Sequence, residues 1–222
     1  MELCRGETGK LLRRFSFSEC EGGAGSEFRG VRRSALLQAL ADALPPDTIS
    51  FGCSVSNILE ASPQKGAVQA AAPSLRVTVE GQGAASLPSR TLECDLLVGA
   101  DGTRSSVAKH LGLADPTFSG YSAIRGVAQL GALGLGSVNL PGNTIRQVWG
   151  AGIRAGIYPM SEEELYWFVC FNDDGLRERD GASAGDQIKE ALTLTAGWGW
   201  GLEKIIQATP EAQVRRGERL LV

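Results

Sequence analysis

Residues 95–113 read DLLVGADGTRSSVAKHLGL, and this stretch holds the most chemistry in the chain. Its continuous apolar run is what a strand covered on both faces of a parallel sheet presents. The run passes directly into Asp101-Gly102 and then into a short helical pattern ending near Leu111. Ligands in open α/β sheets sit beyond the carboxyl ends of the strands. Gly102 has no Cβ, so the backbone there can approach a ligand closely. The N–H groups from Thr103 to Ser106 open a helix and favour an anion such as pyrophosphate. Asp101 is placed to accept a hydrogen bond from a ribose or ribityl hydroxyl. A strand that turns into a helix through Asp-Gly is also an ordinary connection, and the residues alone leave both readings open.

A second group with possible chemistry is Arg33, at the start of the helical pattern GVRRSALLQALADAL. A guanidinium there can pair with phosphate or carbonyl oxygens, or it can be a surface charge on an amphipathic helix. Other chemistries are restricted by composition. His110 is the chain's one histidine, so metal sites built from several histidines are excluded and any nucleophile-histidine pair would have to use it. It falls within VAKHLGL, where a solvated or capping role fits best. The five cysteines, at 4, 20, 53, 94 and 170, are widely and irregularly spaced with no C-x-x-C, which indicates neither zinc nor a disulfide framework. Their odd number suits a reducing compartment such as cytoplasm or plastid. No paired-carboxylate arrangement can be read from spacing, and no side chain is assigned a catalytic role.

The elements that must position these residues follow from periodicity. Lys10–Ser18 alternates as a strand and is followed by the loop ECEGGAGSE. Leu36, Leu37, Leu40, Ala41 and Leu44 repeat at helical spacing from about Arg33, and Pro45-Pro46 stop that helix. ISFGCSV alternates as a half-buried strand. Residues 61–74 are a low-complexity surface insertion. LRVTVE and RTLEC, separated by GQGAASLPS, complete a β-meander. Beyond about residue 113, strand candidates YSAIRGVAQL, IRQVWGAGI and ELYWFVCF are separated by Gly-rich connections. Ile188–Leu194 and Leu202–Ile206 read as helices, and RLLV as a strand just starting. With 222 residues, 43% apolar and a net charge of -3, the chain has an ordinary globular composition. Neither a nucleic-acid footprint nor a signal peptide is expected from it, and it contains no apolar run of spanning length.

Taken together, V-G-A-D-G-T-R-S-S-V (98–107) resembles the Asp-Gly motif of the para-hydroxybenzoate hydroxylase family of flavoprotein monooxygenases. In that family the motif lies near the FAD pyrophosphate and has been linked to NADPH binding as well. The chain departs from it at Ala108, followed by Lys109, where the family often carries Arg; this bears on NADPH more than on FAD. Arg33 and Leu36 match the family's Arg-x-x-Leu at the start of a helix beside the flavin, so the resemblance implies that Arg33 contacts FAD. ISFGCSVSNI is similar to the strand whose backbone, near Val55 here, lies by the adenine. FSGYSAIRGVAQL and LYWFVCF are similar to the plant and algal zeaxanthin-epoxidase-like branch. There they belong to a substrate-domain sheet, with Trp149, Tyr158, Trp167, Phe168 and Phe171 as either pocket-lining or core aromatics.

The expected fold is therefore α/β: a partial Rossmann-like FAD-binding domain plus a mixed, largely antiparallel substrate-domain sheet. Residues 1–29 and 113–222 would belong to the substrate domain and 30–112 to the FAD-binding part. The expected cofactor-binding residues are Arg33, Val55, Asp101 and Gly102. The resemblance implies an enzyme that uses FAD, NADPH and O2 to hydroxylate or epoxidise a small organic molecule; a flavin reductase or halogenase on the same scaffold, or a remnant holding no cofactor, are the other readings. The chain has no G-x-G-x-x-G opening a strand-turn-helix (GALGLG at 131–136 has the wrong spacing) and no Gly-Asp segment of the type GDAxH. It is accordingly expected to be the central portion of such an enzyme.

Overall fold

The computed structural model describes residues 1–16, 30–60, 75–81, 88–133, 144–174 and 183–221. Phe17, Cys20, the loop 19–27, the insertion 61–74, residues 82–87 of the second Gly/Ser stretch and residues 134–136 of the GALGLG string lie outside them. The chain forms two compact units, Met1–Leu36 with Phe118–Arg219, and Leu37–Thr117 with Leu220–Val222.

The first unit is built on a seven-stranded mixed sheet. Its strands are β1 (Glu2–Arg5), β2 (Leu11–Arg14), β6 (Thr117–Gln129), β7 (Arg146–Gly150), β8 (Ile153–Pro159), β9 (Glu164–Asn172) and β10 (Arg215–Leu221), in the order β10-β6-β9-β8-β7-β1-β2. β1 runs parallel to β7, whereas the β1–β2, β6–β9, β7–β8 and β8–β9 pairs are antiparallel. Alternation along β9 sorts its side chains. Leu165, Trp167, Val169 and Phe171 join a core with Ile124, Ile157 and the buried residues of α4 (Ala184–Leu194) and α5 (Leu202–Gln207). Phe168 and Cys170 form a second cluster with Ala123, against which Tyr158 and Tyr166 pack. Trp167 is fully buried, and its indole N–H donates to Thr209 Oγ1 at 2.8 Å, which satisfies the ring's polar end. Gly126 leaves the room it needs, because a Cβ there would lie 2.8 Å from the ring. Helix α4 begins with a capping box between Ser183 and Asp186.

Strand β1 was not legible as an element in the sequence. Glu2 is 4% exposed and lies between two guanidinium groups, with Arg14 Nη2 at 2.6 Å and Arg146 Nη2 at 2.7 Å. Burial pulls its carboxyl upward, but hydrogen bonds from Arg14 and Arg146 outweigh this and hold it below the ordinary value. IRQVWGAGI proves to be two strands rather than one, turning at Ala151-Gly152, where Gly152 takes φ +68°.

The second unit contains the expected antiparallel meander, β3 (Cys53–Glu60), β4 (Leu75–Gly81) and β5 (Arg90–Cys94), with helix α2 (Ser106–His110). Ile58, Val77 and Val79 are buried. Two expectations are corrected here. Residues 95–100 do not form a covered parallel strand: they join no ladder among the described residues, and Leu96 and Val98 are 77% and 75% exposed. An apolar run needs neighbouring strands and covering helices to be buried, and the described residues supply neither. The strand ISFGCSV starts only at Cys53, because Gly52 at φ +67° breaks the extended run and leaves Phe51 77% exposed.

Helix α1 (Arg33–Asp42) has the expected start and stops before Pro45, but none of its side chains is buried. A short four-residue helix, α3 (Leu130–Leu133), follows β6. Among the described residues no helix is long and apolar enough to cross a membrane, and no group of His, Cys, Asp or Glu side chains could hold a metal ion.

Candidate functional site

The turn between Gly99 and α2 is held by three serine and aspartate contacts. Asp101 Oδ2 accepts the backbone N–H of Ser106 at 2.7 Å. Ser105 caps α2, its Oγ accepting the N–H of Ala108 at 2.9 Å. Ser106 Oγ in turn donates to the carbonyl of Val55 at 3.3 Å. Val55 and Asp101 are thereby brought together through Ser106, whose role sequence reasoning missed; the Ser-Ser pair at the start of the helix was the available signal. The hydrogen bond from the Ser105 side chain, followed by that from the Ser106 N–H, holds the Asp101 carboxyl below its ordinary value. The N–H groups of Ser106 and Ala108 are thus satisfied within the loop, and Asp101 serves as the brace of the turn.

Gly102 sits at the tip of this turn with φ +81°, and a Cβ built there would meet nothing within 4 Å. The backbone at Gly102 is therefore both bare and fixed, which suits the flat approach of a dinucleotide. Gly99 is bare for a different reason, since its missing Cβ makes room for Val107, 2.6 Å from where it would stand. His110 takes no part in this turn; its Nε2 lies 3.7 Å from Glu60 Oε1.

Arg33 belongs to the other unit. It is exposed and has no side-chain hydrogen bond or ion pair with the described residues, while its neighbour Arg32 forms a two-pronged pair with Glu164. Among the described residues, the adjacent arginines are thus separated into one paired with a carboxylate and one with no such pair.

The five aromatics singled out in the sequence do not line one pocket. Trp167 and Phe171 are in the core under α4 and α5. Tyr158 and Phe168 are on the opposite face of the sheet with Tyr166, as three rings whose centroids are 5.9–6.3 Å apart. Cross-strand register places Gln147, Trp149 and Arg154 on that same face. The Gln147 amide donates to the Tyr158 hydroxyl at 2.8 Å, and the Arg154 guanidinium lies 5.6 Å from the Phe168 ring centroid. Gly156 makes room for the rings to lie against the strand, since its Cβ would stand 2.3 Å from Phe168. The face combines flat apolar surface with a cation and hydrogen-bonding groups.

Comparison with known proteins identifies the family and relatives of the chain. Residues 33–216 match a family model described as an FAD binding domain. The chain is 33% identical over 128 residues to the aurachin C monooxygenase/isomerase of Stigmatella aurantiaca, covering 57% of this chain and 31% of that protein. It is 31% identical over 152 residues to Monooxygenase 2 of Arabidopsis thaliana, covering 68% of this chain and 32% of that protein. The fold is similar to that of Klebsiella pneumoniae HpxO complexed with FAD and uric acid, with a TM-score of 0.75 and 22% identity over 99% of this chain and 50% of that one. The chain thus spans about a third of the length of these curated relatives and half of the solved structure. It belongs to the FAD-binding family of flavin-dependent monooxygenases.

Proposed function

We propose that this chain is part of an oxygenase that takes electrons from NAD(P)H and uses FAD and O2 to hydroxylate or epoxidise a small, flat organic substrate. The observation that carries the reading is the bare, braced turn at Gly102, tied through Ser106 to the Val55 carbonyl. In this reading the meander and the Asp-Gly turn belong to the FAD-binding part and the seven-stranded sheet to the substrate side. Bound FAD supplies the redox centre and the activation of oxygen, while the protein positions and shields it. Gly102 gives the cofactor a backbone surface, Asp101 holds that surface in shape, and the Val55 backbone lies beside the adenine. Arg33, which has no side-chain ion pair among the described residues, supplies a charge-assisted hydrogen bond to a phosphate or carbonyl oxygen.

The aromatic face made by Tyr158, Tyr166 and Phe168 suits a planar substrate, with Arg154 and Gln147 to orient polar substituents. HpxO, whose fold is similar, is complexed with uric acid in its structure. Titration of the full-length protein with FAD tests the cofactor assignment. Arg33→Ala should weaken binding about ten- to a hundredfold, the loss of one charge-assisted contact. Parent-like affinity in that variant would remove Arg33 from the site.

A further inference from the structure

Resting on the reading of Arg33 as an FAD contact, we infer that Glu164 is a positioning residue for flavin binding, acting through Arg32 on the first turn of α1. Glu164 stands at the start of β9, 132 positions away in sequence from Arg32. Arg32 Nε donates to Glu164 Oε2 at 2.7 Å and Arg32 Nη2 to Oε1 at 2.5 Å, the parallel fork that fixes orientation as well as distance. Lysine, a point donor, cannot reproduce it.

Glu164 is itself held. Gln129 Nε2 donates to its Oε1 at 3.1 Å, Ser161 Oγ accepts its backbone N–H at 3.1 Å, and its carbonyl accepts the N–H of Met160 at 2.9 Å. The carboxylate is thus a fixed point on the sheet. A second contact reinforces the junction: a Cβ at Gly30 would lie 2.8 Å from the Pro159 carbonyl, so the chain entering α1 lies flat on the turn between β8 and β9.

What lies on the other side of the fork gives it its purpose. The first backbone hydrogen bond of α1 runs from the Leu36 N–H to the Arg32 carbonyl, at 3.0 Å. Arg33 is inside that turn, and no side chain of α1 is buried. A ten-residue helix without packing is marginal in water, so the Arg32–Glu164 fork and the Gly30 contact carry the placement of its first turn. Where Arg33 points is then decided by a carboxylate that never touches the cofactor.

The test uses two readouts. Amide hydrogen exchange at Leu36, measured on the chain without cofactor, should speed up about tenfold in Glu164→Gln, with the β8–β9 ladder unchanged, since a charged fork becomes a neutral contact. FAD affinity of the full-length protein should fall about tenfold in the same variant. The charge-exchanged double variant Arg32→Glu/Glu164→Arg should recover most of both, and it serves as the deciding variant if the single one folds poorly. Unchanged exchange at Leu36 would overturn the clamp. Faster exchange with unaltered FAD affinity would overturn the positioning role, provided Arg33→Ala weakens binding. If Arg33→Ala also binds as the parent does, it is the underlying reading of Arg33 that fails, and the inference with it.

Discussion

Alanine at Gly102 separates a backbone cost from a cofactor cost, and the chain contains its own control. At φ +81° an L-residue pays about 1–2 kcal/mol for the left-handed region. No neighbour lies within 4 Å of the added Cβ, so no steric cost accompanies it in the protein alone. The stability loss of Gly102→Ala is therefore about 1–2 kcal/mol, several degrees in the melting temperature of a unit this size. If FAD lies against this backbone, the methyl occupies the cofactor's place. Overpacking of about 1–3 kcal/mol then raises the FAD Kd about ten- to a hundredfold. Gly112, just after α2, has φ +69° and equally open surroundings but no cofactor role. Gly112→Ala should show the same stability loss and parent-like FAD affinity. Thermal melts and flavin-fluorescence titrations of both variants in the full-length protein measure the difference. Equal FAD affinities in the two variants would refute the placement of FAD at the Asp-Gly turn.

Other outcomes follow from particular contacts. Hydrogen bonds from Arg32, then Gln129, lower the Glu164 carboxyl to about 2 from 4.5. Its folded value is depressed, so its contribution is complete above the unfolded value near 4.5 and is lost as pH falls towards 2. Solvent screening limits that contribution to about 1–2 kcal/mol, and a stability-versus-pH curve whose slope in this window is unchanged in Glu164→Gln would contradict it. Gly156→Ala drives a methyl into Phe168 and Tyr158 and should cost about 1–3 kcal/mol; a variant melting with the parent would show that the aromatic face is not packed as described. Glu2→Ala removes the buried carboxylate that Arg14 and Arg146 share and should cost about 1–3 kcal/mol by denaturant titration; an unchanged midpoint would contradict the pairing. The 222 residues by themselves should bind a dye for exposed apolar surface and hold FAD only weakly, since Leu96 and Val98 beside the Asp-Gly turn are open to solvent. A micromolar or tighter Kd for those residues alone would refute this.

The sequence was most legible where a segment's own pattern and its surroundings agree. β4 and β9 alternate because one or both of their faces are packed, and both were found within a residue or two of their limits. α4 was read only from Ile188, four residues late, because the Ser183–Asp186 box that opens it at Ala184 was not recognised. Where the deciding partner is distant, the pattern was silent. Nothing near Glu2 says that Arg14 and Arg146 will close around it, and nothing near Arg32 says that it, and not Arg33, will take Glu164. The Asp-Gly turn was recognisable as the turn that leads into a helix, but the part Asp101 plays in bracing it depends on Ser105 and Ser106 turning inward.

Residues 95–100 and helix α1 show how far a sequence pattern reaches. The run DLLVGA encodes a covered strand through composition alone, yet hydrogen-bonding neighbours and covering layers have to come from other residues, and here Leu96 and Val98 meet solvent. The leucines at 36, 37, 40 and 44 likewise define a stripe with no described surface to receive it. Apolar periodicity reports the environment for which a segment is suited, not the one it occupies. This is why the sequence could name a flavin-enzyme architecture correctly and still misplace one of its strands. It is also why the anchoring of α1 falls to a polar device, the Arg32–Glu164 fork, which a hydrophobic pattern cannot reveal.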